Sequence, residues 1–205
     1  MAEERERELR FERRMSDAEA LMWNVEKDPW LNPSGASIAI LDGPIDVDLF
    51  RRRVRYAISK IPRLRERVAP ELGRLSPPTW MVDEEFDFEY HLRHVALPKP
   101  GSMRQLFDLC TRMYEDPFDR TRPLWLIVTI DGVEGGRTAM FSKLHHTLSD
   151  GISALRLSEL YIDRERVGAP PPDVDLDAVF AAAMEEQSAD RREGGPPPKI
   201  GRAHV

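Results

Sequence analysis

Cysteine is almost absent: Cys110 is the only one. A single thiol excludes an intrachain disulfide and fits a reducing compartment, so the expected location is the cytoplasm. No run of 18 apolar residues occurs, so no apolar membrane-spanning helix is expected. The first residues, Met1-Ala-Glu-Glu-Arg-Glu-Arg-Glu8, carry charge where a signal peptide carries an apolar core, and secretory targeting is not expected either. Cysteine and histidine show no metal-ligand spacing, which leaves no candidate metal site. A basic excess is also missing. Thirty Lys and Arg face 36 Asp and Glu, a net charge of −6, which argues against a dedicated nucleic-acid binder.

What remains is a charge-rich chain long enough for one sizeable core. At 205 residues, with 41% hydrophobic and 32% charged residues, one domain or at most two is expected. Residues 1–14 alternate acid and base and read as a charged N-terminal extension. Ser16 is placed to cap a short amphipathic helix carrying Ala18, Leu21, Met22 and Val25. Ser37–Leu41 reads as a strand, and Phe50, Val54, Ala57, Ile58 and Ile61 recur at helical spacing between Asp46 and Ile61. Thr79–Val82 and Phe86–Val95 read as strands, the second because Phe86, Phe88, Tyr90 and Leu92 alternate. This places His91 and His94 on opposite faces, partly exposed.

A helix opening at Gly101-Ser102 would turn Met103, Leu106, Phe107, Cys110 and Tyr114 inward, with Cys110 a small core residue rather than a nucleophile. Leu124–Ile130 is nearly all apolar, as a strand buried on both faces should be. Asp131–Gly136 supplies a hairpin loop and residues 137–144 return antiparallel. A last helix is expected over residues 173–190, and Gly194-Gly-Pro-Pro-Pro198 has linker composition.

Two clusters invite a functional reading. Arg51, Arg52, Arg53 and Arg55, followed by Arg63, Arg65 and Arg67, form a basic run. It suits phosphate or anionic headgroups, although a solvated helix face is the more ordinary reading. The second cluster is His145-His146-Thr147-Leu148-Ser149-Asp150-Gly151, at the end of an apolar strand. Strand side chains alternate, so the two imidazoles point to opposite faces and one of them can meet a given substrate. A neutral imidazole there can take a proton from an alcohol or thiol. Ser149 or Asp150 can cap a following helix bearing Ile152, Leu155 and Leu160, and Gly151 permits the tight turn into it.

The histidine block resembles the His-His-x-x-x-Asp-Gly signature of chloramphenicol acetyltransferase-like acyltransferases and of nonribosomal peptide condensation domains. Four further blocks resemble the bacterial wax ester synthase/diacylglycerol acyltransferase family: Met15–Trp23, Pro62–Arg67, Phe86–His91 and Pro117–Trp125. Pro123-Leu124-Trp125 matches a second family motif. The likeness runs from about residue 15 to about residue 165. It implies an α/β (α+β) fold, a chloramphenicol acetyltransferase-like half-domain with a mixed central sheet flanked by helices. It also implies an acyltransferase of lipid metabolism in which His146, as general base, removes the proton from the hydroxyl of a fatty alcohol or diacylglycerol as it attacks an acyl-CoA thioester, giving a wax ester or triacylglycerol. His145 is then a structural neighbour, Asp150 a residue that holds the loop, and Trp125 a packing residue.

Acyl-CoA enters as co-substrate; no bound cofactor is implied and no cofactor-binding residue is assigned. Family members are about twice as long and built of two related halves. Residues 15–190 resemble the N-terminal half, and 191–205 read as a Gly/Pro-rich linker toward a C-terminal half. That half, cleaved from the same polypeptide or separately encoded, is the expected partner. Peripheral contact with membrane or lipid bodies is a further expectation. The alternatives at this level are CoA-dependent or condensation-type transfer to an amine or small alcohol, and a non-catalytic lipid- or partner-binding half.

Overall fold

In the computed structural model, the hairpin and the edge strands beside it form the centre of the molecule. The structure describes residues 13–28, 30–69, 78–148, 161–162 and 169–193. Strands β5 (Trp125–Val133) and β6 (Arg137–His145) pair antiparallel through a turn at residues 134–136. β1 (Ser34–Leu41) pairs antiparallel with the far side of β6, and β4 (Leu92–Ala96) runs parallel to β5. The order is β1-β6-β5-β4, a mixed sheet in which β6, the strand that ends at the histidine pair, is interior.

Alternation along β5 and β6 makes two cores. Val128, Ile130, Ala139 and Phe141 meet helix α4 (Met103–Glu115), which buries Leu106 and Cys110. Trp125, Ile127 and Met140, with Leu144 packed against them, meet helix α2 (Val47–Lys60) through Phe50, Val54, Ala57 and Ile58. Each such side chain removed from water stabilises the fold by about 1.5–3 kcal/mol, so the two-sided burial of β5 explains its near-continuous apolar run. Helix α1 (Asp17–Val25) adds Trp23 to the α2-side core. A small ribbon, β2 (Glu66–Val68) with β3 (Trp80–Val82), follows a 3-10 turn at Pro62–Arg65. Helix α5 (Leu176–Glu193) docks on that ribbon, where the Val82 amide donates to Gln187 Oε1 at 2.8 Å.

The helix starts follow their caps. Ser16 with Glu19, and Ser102 with Gln105, form reciprocal capping boxes, and Asp46 accepts the Leu49 amide at 2.9 Å. Gly101 has φ +73°, and a Cβ there would stand 1.8 Å from the Gly132 carbonyl oxygen. Only glycine allows the α4 entry loop to lie this close to the end of β5.

Several sequence expectations change. The stretch Phe86–Val95 is not one strand: the Asp87 carboxylate accepts the Glu89 amide at 2.9 Å and winds Phe88–His91 (α3) into one helical turn. Phe88 and His91, three apart, both become buried, so His91 is not a partly exposed strand residue. Phe107 and Tyr114 are exposed at the margins of α4, because the face narrow enough to fit the sheet runs through Leu106 and Cys110. β1 begins three residues earlier than expected, and the last helix starts at Leu176 and continues to Glu193. The expected helix at 152–160, Ser149, Asp150 and Gly151, residues 1–12 and the segment 194–205 lie outside the described residues.

Candidate active site

β6 delivers the histidine pair to the end of the sheet, and three backbone hydrogen bonds fasten the turn that follows. The His145 amide donates to the Leu124 carbonyl at 3.1 Å, and the His146 amide to the Pro33 carbonyl at 2.8 Å. The Leu148 amide closes the turn on the His145 carbonyl at 3.0 Å. Thr147 Oγ1 reaches the Glu19 carbonyl of α1 at 3.4 Å. The turn is therefore tied to the Pro123-Leu124-Trp125 segment, to the loop before β1 and to α1 at once.

The two imidazoles lie in unlike surroundings. His145 shares the α4 side of β6 with Phe141 and Lys143, and its ring is fully buried. The rings of Trp23 and Phe118 approach it edge-on, with centroids 6.5 and 6.4 Å away. Its Nδ1 accepts the Thr147 amide at 3.0 Å. An imidazole that accepts at Nδ1 and is neutral carries its proton on Nε2, and Nε2 faces Glu26 Oε2 at 3.5 Å. Burial first, then the charges of Arg120, His146 and Lys143, hold its pKa down at about 4. The Glu26 carboxylate does not reverse this, because Arg120 Nη1 already pairs with it at 3.1 Å. His145 is thus a neutral, oriented group with no open side.

His146 is exposed. Its ring lies alongside Gly35 on β1, where an added Cβ would stand 3.9 Å from both Cε1 and Nε2. Gly35 pairs with Leu144 across the ladder, so the glycine leaves open the space that the imidazole borders. On the α2 side of the same strand, Ser142 and Leu144 join Val54, Ala57, Leu64, Trp125, Ile127 and Tyr161 around a narrow apolar crevice. Of the three residues named for chemistry, the structure describes His145 and His146; Asp150 lies outside the described residues, as does Gly151.

Pro123, Leu124 and Trp125 are all buried. Trp125 Nε1 donates to the Leu64 carbonyl at 2.8 Å, and the Trp125 carbonyl faces His91 Nδ1 at 2.8 Å. The His91 ring stacks on Trp125 with centroids 4.7 Å apart and on Phe86 at 5.1 Å. Burial lowers the His91 pKa to about 4. Three of the motif blocks, Pro62–Arg67, Phe86–His91 and Pro117–Trp125, are therefore one packed cluster around a tryptophan.

The arginine run is neither a solvated face nor an open anion site. Arg51 pairs with Glu89, Arg52 with Asp173 at 2.7 Å, and Arg67 with Asp83 at 3.6 Å. Arg55 lies over the Phe88 ring at 4.9 Å, and Arg65 donates to the Ile58 carbonyl at 2.8 Å. Arg63 is buried over Trp80 and pairs with Glu66 at 2.7 Å. Several of these partners lie far away in sequence, which is why the run looked free.

Other residues of the site carried no local signal. Glu26, Gly35 and Pro33 sit in no motif, and nothing local distinguishes Arg120 within its block. Lys143 is buried in mid-strand. Its ammonium donates to the Met113 and Asp116 carbonyls at the end of α4 and lies 4.6 Å from the Phe118 ring centroid. Desolvation lowers its pKa, while the negative end of the helix offsets part of that loss. Among the described residues no cluster of three or more His, Cys, Asp or Glu is placed to hold a metal, and no helix is long and apolar enough to cross a membrane.

Comparison with known proteins gives consistent results. The family described as wax ester synthase/diacylglycerol acyltransferase catalytic domain matches residues 15–200. A putative diacylglycerol O-acyltransferase of Mycobacterium tuberculosis is 32% identical over 152 residues, 74% of this chain and 30% of that protein. A probable diacylglycerol O-acyltransferase of the same organism is 39% identical over 113 residues, 55% of this chain and 42% of that protein.

Among solved structures, the wax ester synthase/diacylglycerol acyltransferase of Marinobacter aquaeolei VT8 superposes with a TM-score of 0.63 at 24% identity, covering 90% of this chain and 47% of that one. The first condensation domain of the calcium-dependent antibiotic synthetase gives 0.62 at 19%, covering 88% and 44%. These likenesses show a shared fold. In every case the chain spans less than half the length of the protein it matches.

Proposed function

The chain belongs to the wax ester synthase/diacylglycerol acyltransferase family, and from that premise we propose that it is the N-terminal half of an acyl-CoA-dependent O-acyltransferase. Its products are wax esters or triacylglycerol. The observation that carries the reading is the division of labour between the histidines: His145 is sealed and neutral, whereas His146 is exposed beside Gly35 on a turn fixed from three directions.

The chemistry follows from that arrangement. An imidazole nitrogen of His146 removes the proton of an acceptor hydroxyl as its oxygen attacks the thioester carbonyl of acyl-CoA. The tetrahedral intermediate then expels the CoA thiolate, which takes the proton back from the imidazolium, leaving an ester and free CoA. No covalent acyl-enzyme is required, since one base and good alignment suffice. Donors for the developing oxyanion come in this reading from the C-terminal half.

The length of the relatives supports that half as partner. Trp30 is 92% exposed and Leu31 is 49% exposed, and they precede Pro33, whose carbonyl holds His146. We assign this apolar corner to contact with the proposed C-terminal half. Peripheral contact with lipid would have to use another surface than the arginine run, because that run is consumed internally.

The test is CoA release from palmitoyl-CoA with hexadecanol or a diacylglycerol as acceptor, with and without the complementary half. Ester formation by the reassembled protein supports the reading. Turnover with amine acceptors alone, or none with any acceptor, overturns it.

A further inference from the structure

We propose that Glu26 and Arg120 are positioning residues for the turn that presents His146, acting through the tautomer of His145. This rests on the assignment of His146 as the base only in calling the turn catalytic; the structural claim stands apart from it.

Glu26 follows the last residue of α1, and its side chain is only 12% exposed. Arg120 comes from the loop before β5. Its guanidinium stacks on the Trp23 ring at 3.4 Å from the centroid, donates to the Trp23 carbonyl at 3.0 Å and pairs with Glu26 at 3.1 Å. The carboxylate is thus held from one side, and its Oε2 faces His145 Nε2 at 3.5 Å.

The consequence lies at the other end of the same ring. With the proton drawn to Nε2 by the carboxylate, Nδ1 is free to accept the Thr147 amide. Moving the proton to Nδ1, or adding a second one, would set two N–H groups against each other and release Thr147. Thr147 is the residue after His146, so its release would loosen the backbone that carries the exposed imidazole. The described charged and titratable groups near His145 fit this scheme. Lys143, on its own strand, is occupied by the end of α4; Arg120 is turned to Glu26; His146 points away to Gly35. Among the described residues, Glu26 is the acid that faces His145 Nε2, and so the side chain that can favour the Nε2–H form.

Uniform 15N labelling of the 205-residue chain tests this directly, since long-range 1H–15N correlations report which ring nitrogen of His145 is protonated and amide signals report exchange. The expected result is the Nε2–H tautomer in the unmodified protein. Glu26→Leu should add the Nδ1–H form and speed exchange of the His146 and Thr147 amides by about tenfold or more, with Val128 and Ile130 in β5 unchanged. Glu26→Gln keeps an acceptor carbonyl and should restore the single tautomer. An Nδ1–H tautomer in the unmodified protein overturns the proposal without any variant. So does a Glu26→Leu protein whose tautomer and exchange are unchanged, or whose amides all accelerate alike. Failure of acyl transfer with these signatures intact would count against the assigned activity and not against the positioning role.

Discussion

Acid should destabilise this protein through its buried histidines. His91 and His145 are both fully buried, and burial holds both at about pKa 4 against an ordinary value of 6.5. The folded state therefore binds fewer protons than the unfolded chain between those values, and stability must fall as pH falls through the window. At pH 5 an unfolded imidazole is almost fully protonated and either folded one roughly a tenth so, and each contributes a slope of about 1 kcal/mol per pH unit. From pH 7 to pH 4.5 the two together remove about 5 kcal/mol, comparable to the whole stability of a marginal domain.

Glu89, lowered by its hydrogen bond with Arg51, and Asp119, lowered by its hydrogen bonds with Thr121, add a loss of stability of the same sign toward the acid end of the window. Asp83, raised by burial, works in the opposite sense by favouring the folded state in acid. The assay is urea unfolding at half-unit steps from pH 7 to pH 4.5, with His91→Gln beside the unmodified chain. Gln cannot charge, so the slope in that variant should be about half as steep. A flat profile over the window, or a variant slope as steep as the original, would refute the assignment of buried neutral imidazoles.

Substitutions at three further positions follow from packing. Gly35→Val adds methyl groups toward the His146 ring, whereas Gly35→Ala meets it at an ordinary 3.9 Å. CoA release should therefore fall with valine and hold with alanine, at similar melting temperatures. Gly101→Ala combines φ +73° with a 1.8 Å approach to the Gly132 carbonyl, and should destabilise the fold by about 3 kcal/mol or more in chemical unfolding. Trp125→Phe leaves the Leu64 carbonyl without its indole donor and should lose about 1–3 kcal/mol by the same measurement.

The parts of this molecule that depend on near neighbours were readable in the chain. The Ser16 cap, the β5–β6 hairpin and the apolar face of α2 are each written within a dozen or so residues, and the structure has them within a few positions. Phe86–Val95 misled because Phe86, Phe88, Tyr90 and Leu92 alternate like a strand, while a single carboxylate, Asp87, is enough to wind one turn. The arginine run misled for a different reason. Asp173 lies 121 residues beyond Arg52, and no window along the chain can show such a pairing.

The candidate site divides in the same way. The histidine pair stands out locally, and alternation places its members on opposite faces. What distinguishes them energetically does not stand out. Glu26 and Arg120 are 94 residues apart, and their convergence on His145 exists only once α1 packs beside the end of β6.

The most direct test of the account is the acyl transfer rate of His146→Ala in the reassembled protein, followed as CoA release from palmitoyl-CoA. Because the His146 side chain is exposed and packs into no core, the melting temperature should be unchanged. Turnover should drop by about two to four orders of magnitude if the imidazole is the base. Unchanged turnover in a folded His146→Ala protein would contradict the account, and the proton of the acceptor hydroxyl would then have to go elsewhere.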